Sequence, residues 1–282
     1  MQNADASTAA STVAFIGGGN MATALIGGLV QSGRPAASVL VIDPSESQRA
    51  ALASRWGVRT AGTAEAAGAG LDAAGLVVWA VKPQLFAEAA APCAPRLAGA
   101  LHLSVMAGVR CDTIARAMGL EPAAARIVRS MPNTPALIGR GIAGLYATPA
   151  VGEAERAQVE QVLAPTGRTL WVPREADLDA VTALSGSGPA YVFYFIEAMV
   201  QAGTEMGLDP VAARQLAQET FAGAAALAAA SDESPATLRE RVTSKGGTTY
   251  AALTSLEASG VKAAFVAALH AARDRAEELG RG

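Results

Sequence analysis

The stretch "TVAFIGGGNMATALIGGLVQSG", residues 12–33, decides the fold of this chain. "TVAFI" is a short β-branched and apolar run that predicts a strand. "NMATALIGGLVQSG" carries apolar residues at helical spacing up to a Ser-Gly stop. Between them Gly17, Gly19 and Ala22 stand in G-x-G-x-x-A spacing. The first glycine permits a tight turn, the second lets backbone approach a pyrophosphate, and a small third residue lets helix and strand pack closely. The free N–H groups and positive dipole end at the start of that helix suit phosphate oxygens. An ordinary strand-to-helix turn also uses glycines. With the right element on each side, however, Gly17, Gly18, Gly19, Asn20, Met21 and Ala22 are read as a dinucleotide-binding turn.

Working outward, "SVLVID" (38–43), "LVVWAV" (76–81), "LHLSV" (101–105), "RIVRSM" (126–131) and "IAGLYA" (142–147) predict further strands. The near-continuous apolarity of the first strands is that of a parallel sheet covered by helices on both faces. "SESQRAALASRWG" between them predicts a helix with a serine cap and a glycine stop. This is βαβ architecture, a Rossmann-type doubly wound sheet. After residue 173 the pattern changes to helices alone: "SGPAYVFYFIEAMVQAGTEMGL", "DPVAARQLAQETFAGAAALAAA", "SPATLRERVTS" and "GVKAAFVAALHAARDRAEEL". The first is apolar on nearly every side, so it predicts a helix buried all round, best achieved at a subunit interface. The expected division is a mobile N-terminal tail (1–11), a dinucleotide-binding α/β domain (12–173) and an all-helical domain (174–282) that also makes a homo-oligomer.

Composition narrows the function. The chain has 282 residues, 51% of them apolar and 17% charged, enough for two packed cores and far from disorder. A net charge of −3 gives no electrostatic case for nucleic acid or an anionic membrane, and a soluble globular protein is expected. Cys93 and Cys111 have no metal-ligand spacing, and a reduced, cytoplasmic setting is expected. The first residues lack the basic and apolar regions of a signal peptide. With only His102 and His270 present, a histidine relay and a histidine-rich metal centre are both disfavoured, and no metal is predicted.

Other segments carry polar groups at strand ends, where open α/β sheets bind ligands. Asp43, about twenty residues past the glycines, is placed to accept from the adenosine ribose and would argue for NADH. Ser45, Ser47 and Arg49 would surround a 2′-phosphate if Asp43 turned away, and the choice stays open. Ala80, Val81, Lys82 and Pro83 end one strand, with Lys82 equally readable as a surface lysine before a turn. Ala107 and Gly108 lie in the loop of "SVMAGV". Two prolines stiffen the turn around Asn133 in "MPNTPALIG". In "SGSGPAYVF" packing is the simpler role for Gly186 and Gly188. In "VTSKGGTTYAAL" (242–253), Gly246 and Gly247 can turn successive amides toward an anion, and Ser244, Thr248 and Thr249 add short hydroxyls. A hydroxyl-capped helix with a glycine hinge is the alternative there.

Taken together, "IGGGNMATALIGGL", "AVKPQ", "RSMPNTPALIG", "LSGSGPAYVF" and "VTSKGGTTYAAL" closely resemble the pyrroline-5-carboxylate reductase family, along nearly the whole chain. The resemblance implies a Rossmann domain, a helical domain that interlocks with a partner into a homodimer, and often rings of dimers. It implies reduction of (S)-1-pyrroline-5-carboxylate to L-proline with NADPH or NADH. Gly17 to Ala22 would hold the pyrophosphate, and Ala80, Val81, Lys82 and Pro83 would line the cofactor. Ala107, Gly108 and Asn133 would lie near the nicotinamide. Gly246, Gly247 and Thr248 with Ser244, and with Lys245 between them, would bind the substrate carboxylate. Thr249 would face the ring nitrogen as the catalytic residue. Two positions depart from the pattern of some relatives: the acidic group expected just before that loop is represented by Asp232-Glu233 without a fixed register, and Asp43 stands where NADPH-preferring members carry a neutral or basic residue. A hydroxyacid dehydrogenase of similar plan would need a lysine early in the second domain, which "GPAYVFYFIEAMVQAG" lacks. A non-catalytic dinucleotide sensor would not need the glycine–hydroxyl loop.

Overall fold

The computed structural model describes residues 11–281. The expected tail therefore lies outside the described residues except for Ser11. The described residues divide into two compact units, one of 11–186 together with 273–281, the other of 187–272. Packing thus keeps 174–186 and the last turns of the chain with the α/β unit.

The first unit is built on one eight-stranded sheet: β1 (Thr12–Ile16), β2 (Val39–Ile42), β3 (Arg59–Ala61), β4 (Ala74–Trp79), β5 (Leu101–Ser104), β6 (Ile127–Met131), β7 (Gly141–Ala147) and β8 (Gly167–Trp171). Their order is β3-β2-β1-β4-β5-β6-β7-β8, parallel throughout except where β6 meets β7. The chain reverses direction across the sheet between β1 and β4, the switch point where such sheets open a ligand crevice. Strand alternation feeds two cores. Ala14, Ile16, Leu40, Ile42, Val77 and Trp79 point to one face, and Val13, Phe15, Val39, Val41, Leu76 and Val78 to the other. All are buried, each larger side chain contributing about 1.5–3 kcal/mol. Two helices fix the crevice. α1 (Asn20–Gln31) starts directly after the glycine turn, and α2 (Glu46–Trp56) starts at a Ser45 cap that accepts from the Gln48 amide and ends at left-handed Gly57.

Farther on, α3 (Cys111–Ala117) and α4 (Asp177–Val181) flank the sheet, and a single π turn, Thr182–Gly186, closes the unit. The second unit contains α5 (Gly188–Glu205), α6 (Pro210–Ala229), α7 (Pro235–Arg241), α8 (Thr248–Ala258) and the first part of α9 (Val261–Leu279). Inside it Phe265 meets Tyr191 and Phe195 edge-on. The expectation that α5 is buried all round is not met within one chain. Phe193 and Tyr194 are 64% and 69% exposed, and Gly203 is its only buried residue. Val192 and Met199 of the same helix are exposed as well, so its apolar side is left uncovered by the other helices of the unit. No single helix among the described residues is long and apolar enough to cross a membrane.

Candidate active site

The C-terminal ends of β2, β1, β4, β5 and β6 lie side by side along one sheet edge, so Asp43, Gly17, Ala80, Ala107 and Asn133 follow one another along it. Gly17 is required at its position. Its φ is +97°, and a Cβ there would lie 2.7 Å from the Ala80 carbonyl oxygen. Neither side can yield easily, since the Gly17 amide donates to Ile42 O and the Ala80 amide to Ile16 O, each at 2.8 Å. Gly19 has open space where a Cβ would stand, leaving its backbone approachable. It caps α1 without a side chain, and Thr23 N is the first amide to find a helical carbonyl, Gly19 O. The amides of Asn20, Met21 and Ala22 therefore have no helical partner and face the turn. Ala22 itself is fully buried where α1 meets the sheet. These donors, with the dipole behind them, fit a pyrophosphate.

A cleft of about 620 Å³ runs from this turn along the sheet edge, lined by Gly17, Gly19, Asp43, Ala80, Val81 and Lys82 among others. Gly62 to Glu65 after β3, and Leu85, Glu88, Ala89, Pro92 and Cys93 beyond β4, also line it and are not marked by the sequence reading. Only the Gly-Thr pair after a three-residue strand could have marked it. Ser45 and Pro83 stand beside the cleft rather than in its wall.

Asp43 stands in the cleft wall with both carboxylate oxygens already accepting from backbone amides. One carboxylate oxygen accepts from the Gly18 amide at 2.7 Å and the other from the Ser45 amide at 2.8 Å, stapling the glycine turn to the start of α2. Gln48 reinforces this by donating to Gly18 O. Arg49 donates through one nitrogen to Asp43 O at 2.7 Å and Pro44 O at 2.9 Å, which holds its guanidinium beside Gly62. Ser45 and Ser47 hydroxyls are 3.0 Å apart and exposed.

At the other end, Lys82 is exposed and has no ion pair among the described residues. Ala107 is exposed and Gly108 adopts φ +74°. The Asn133 side chain is engaged internally, donating to Ser185 O at 3.2 Å and accepting from the Ile142 amide at 3.0 Å, so it braces the π turn against β7. Neither cysteine is a ready nucleophile. Burial pushes the Cys93 thiol up to about 11 and raises Cys111 further. His102 is core: it accepts from Trp79 Nε1 at 3.1 Å, and burial lowers its pKa to about 4, keeping it neutral.

In the second unit, "TSKGGTT" forms a tight turn opening α8. Gly246 takes φ +74°, and Gly247 N donates to Ser244 O at 3.0 Å, so the Gly247 amide is used inside the loop. Gly247 caps α8 with extended backbone and no side chain, leaving the amides of Thr248, Thr249 and Tyr250 without helical carbonyls. The Ser244, Thr248 and Thr249 hydroxyls make no hydrogen bond among the described residues, and Thr249 is half-buried. Lys245 is exposed. Glu233 pairs with Arg241 at 2.5 Å just before the loop, whereas Asp232 is exposed. The result is a compact donor cluster of two kinds, main-chain amides and small hydroxyls, suited to a small carboxylate.

The fold and cleft define a Rossmann-type dinucleotide-binding protein with an all-helical second unit. Residues 12–108 match the family model described as NADP oxidoreductase, coenzyme F420-dependent, and residues 175–279 match that described as pyrroline-5-carboxylate reductase dimerisation. A pyrroline-5-carboxylate reductase of Pseudomonas aeruginosa is 44% identical over 95% of this chain and 96% of its own. The solved reductase of Coxiella burnetii is 35% identical, with a TM-score of 0.88 over 95% and 98% of the two chains. That of Plasmodium falciparum, solved with NADP bound, is 27% identical, with a TM-score of 0.84 over 96% and 99%. The chain belongs to the pyrroline-5-carboxylate reductase family.

Proposed function

We propose that this chain is an NAD(P)H-dependent oxidoreductase that reduces (S)-1-pyrroline-5-carboxylate to L-proline, the last step of proline biosynthesis. The observation that carries the proposal is the donor cluster at Ser244–Thr249 in a chain 44% identical, over 95% of its length, to a reductase of that name. The amides opening α8 take the ring carboxylate, and Ser244 and Thr248 complete its hydrogen bonds. Lys245 adds a solvated positive charge at the loop rim. Gly246 and Gly247 serve by shape, supplying the left-handed turn and the uncapped helix start.

When bound along the Gly17–Lys82 cleft, the dinucleotide supplies the hydride that reduces C5 of the ring. The remaining requirement is a proton on the ring nitrogen and a fixed geometry. A cyclic imine is basic enough to arrive partly protonated, so no strong acid is needed. The unengaged Thr249 hydroxyl orients that nitrogen and relays a proton from solvent. Holding both reactants in place is worth roughly 7–11 kcal/mol, which lets a site without histidine suffice.

NADPH is the preferred cofactor in this reading, with NADH accepted. Support comes from Asp43 being engaged with main-chain amides while Arg49, Ser45 and Ser47 gather beside it. The exposed apolar face of α5 supports a homodimer through the helical unit, and dimers assembling further. Two free, buried cysteines fit a reduced cytoplasm. The test follows cofactor absorbance with purified protein and pyrroline-5-carboxylate, comparing NADPH with NADH. Turnover to proline, faster with NADPH, is expected. Absence of imine-dependent oxidation would overturn the proposal.

A further inference from the structure

The turn after β5 is held to parts of the same unit far away in sequence. Gly108 packs so closely on the end of α9 that a Cβ there would lie 3.3 Å from Leu279 O. Two residues on, Arg110 reaches two separate partners in the same unit. Its Nη2 donates to Asp179 of α4 at 3.0 Å, and its Nε donates to Gly280 O at 3.1 Å, just beyond the end of α9. Asp179 is 4% exposed. The next amide, Cys111 N, starts α3 and has no helical partner; Glu175 takes it at 2.7 Å while also accepting from buried Arg129 at 2.9 Å.

A cation donating to a carbonyl at a helix C-terminus offsets that end of the dipole. A guanidinium can serve both partners at once because its donors diverge in a rigid plane, which an ammonium cannot match. With Arg110 gone, the buried Asp179 carboxylate would lack its cation, and the turn would be free to shift against Leu279 and Gly280.

We infer that Arg110 is a positioning residue for hydride transfer: through Asp179 and Gly280 O it fixes the Val105–Arg110 turn, and so the surface that Ala107 and Gly108 present to the dihydronicotinamide. The inference rests on the reading that Ala107 and Gly108 line the nicotinamide end. It concerns a residue that touches neither cofactor nor substrate. Displacements of about 1 Å at a reacting centre cost about a hundredfold in rate, so a loosened turn should be visible in chemistry before it is visible in binding.

The test compares Arg110→Ala, Arg110→Lys and Ala107→Val with the wild type in the full-length enzyme. Three readouts apply: Kd for 2′,5′-ADP, emission of bound NADPH without imine, and single-turnover hydride transfer. Arg110→Ala should leave 2′,5′-ADP affinity within about twofold, shift bound NADPH emission toward that of free cofactor, and slow hydride transfer by about 10- to 100-fold. Arg110→Lys keeps a cation for Asp179, which guards against misfolding from an unpaired buried carboxylate, and should recover part of both effects. If Ala107→Val alters the emission but neither Arg110 variant changes emission or rate, the inference is overturned and the nicotinamide reading stands. If no variant changes the emission, the nicotinamide reading fails and takes the inference with it.

Discussion

Replacing Asp43 separates two roles that the sequence leaves open. As a ribose ligand, its loss would weaken NADH and spare or improve NADPH. As the staple seen here, its loss weakens both. The carboxylate accepts from Gly18 N at 2.7 Å and Ser45 N at 2.8 Å. A hydrogen bond to a charged group is worth about 1.5–3 kcal/mol, and the lower end applies at this partly exposed site. Asp43→Ala should therefore destabilise the folded protein by about 3 kcal/mol, and Asp43→Asn, which keeps one acceptor, by about half as much. The glycine turn must also be reordered on binding. If half of the 3 kcal/mol is felt there, the Kd for both cofactors rises about tenfold. Chemical denaturation and titration of NADPH and NADH fluorescence measure the two quantities. A variant of unchanged stability whose NADH affinity alone falls would refute the staple and restore the ribose role.

Two further outcomes follow. Thr249→Ala should lower kcat by roughly 10- to 1000-fold, with Thr249→Ser retaining most activity; unchanged turnover in the alanine variant would remove Thr249 from the mechanism. His102 sets an acid limit on stability. Its folded pKa is about 4 against an ordinary 6.5, so the neutral form is favoured in the fold. The stabilisation is complete above pH 6.5, declines as pH falls, and is gone below about pH 4, a loss of about 3 kcal/mol. Denaturation midpoints between pH 7 and pH 4 should show that slope, and His102→Asn should flatten it. A slope that survives in the variant would assign it to other groups.

The elements legible in sequence are those whose local chemistry agrees with their burial. "TVAFI" is buried from its second residue on and "VLVI" throughout, and the serine and glycine around α2 fall at its actual cap and stop. β3 was missed because three residues, one of them an exposed Arg59, carry no periodicity. With it went Gly62 and Thr63, the cleft wall it delivers. β8, "GRTLW", alternates between exposed and half-buried residues at a sheet edge and reads as a loop. The loop at 244–249 was visible from its glycines and hydroxyls, but which amides remain free depends on a turn closed by Gly247 N and Ser244 O. Asp43 was visible as an acid at a strand end; its partners are two backbone amides, which leave no trace in residue identity. Arg110 pairs across 69 and 170 residues, beyond any local pattern.

The most direct measurement is a crystal structure of the enzyme with NADP⁺ and L-proline. The proline carboxylate should lie within hydrogen-bonding distance of the amides of Thr248 and Thr249, with the Thr249 hydroxyl beside the ring nitrogen. Proline ordered elsewhere on the molecule, with the Ser244–Thr249 loop untouched, would contradict it.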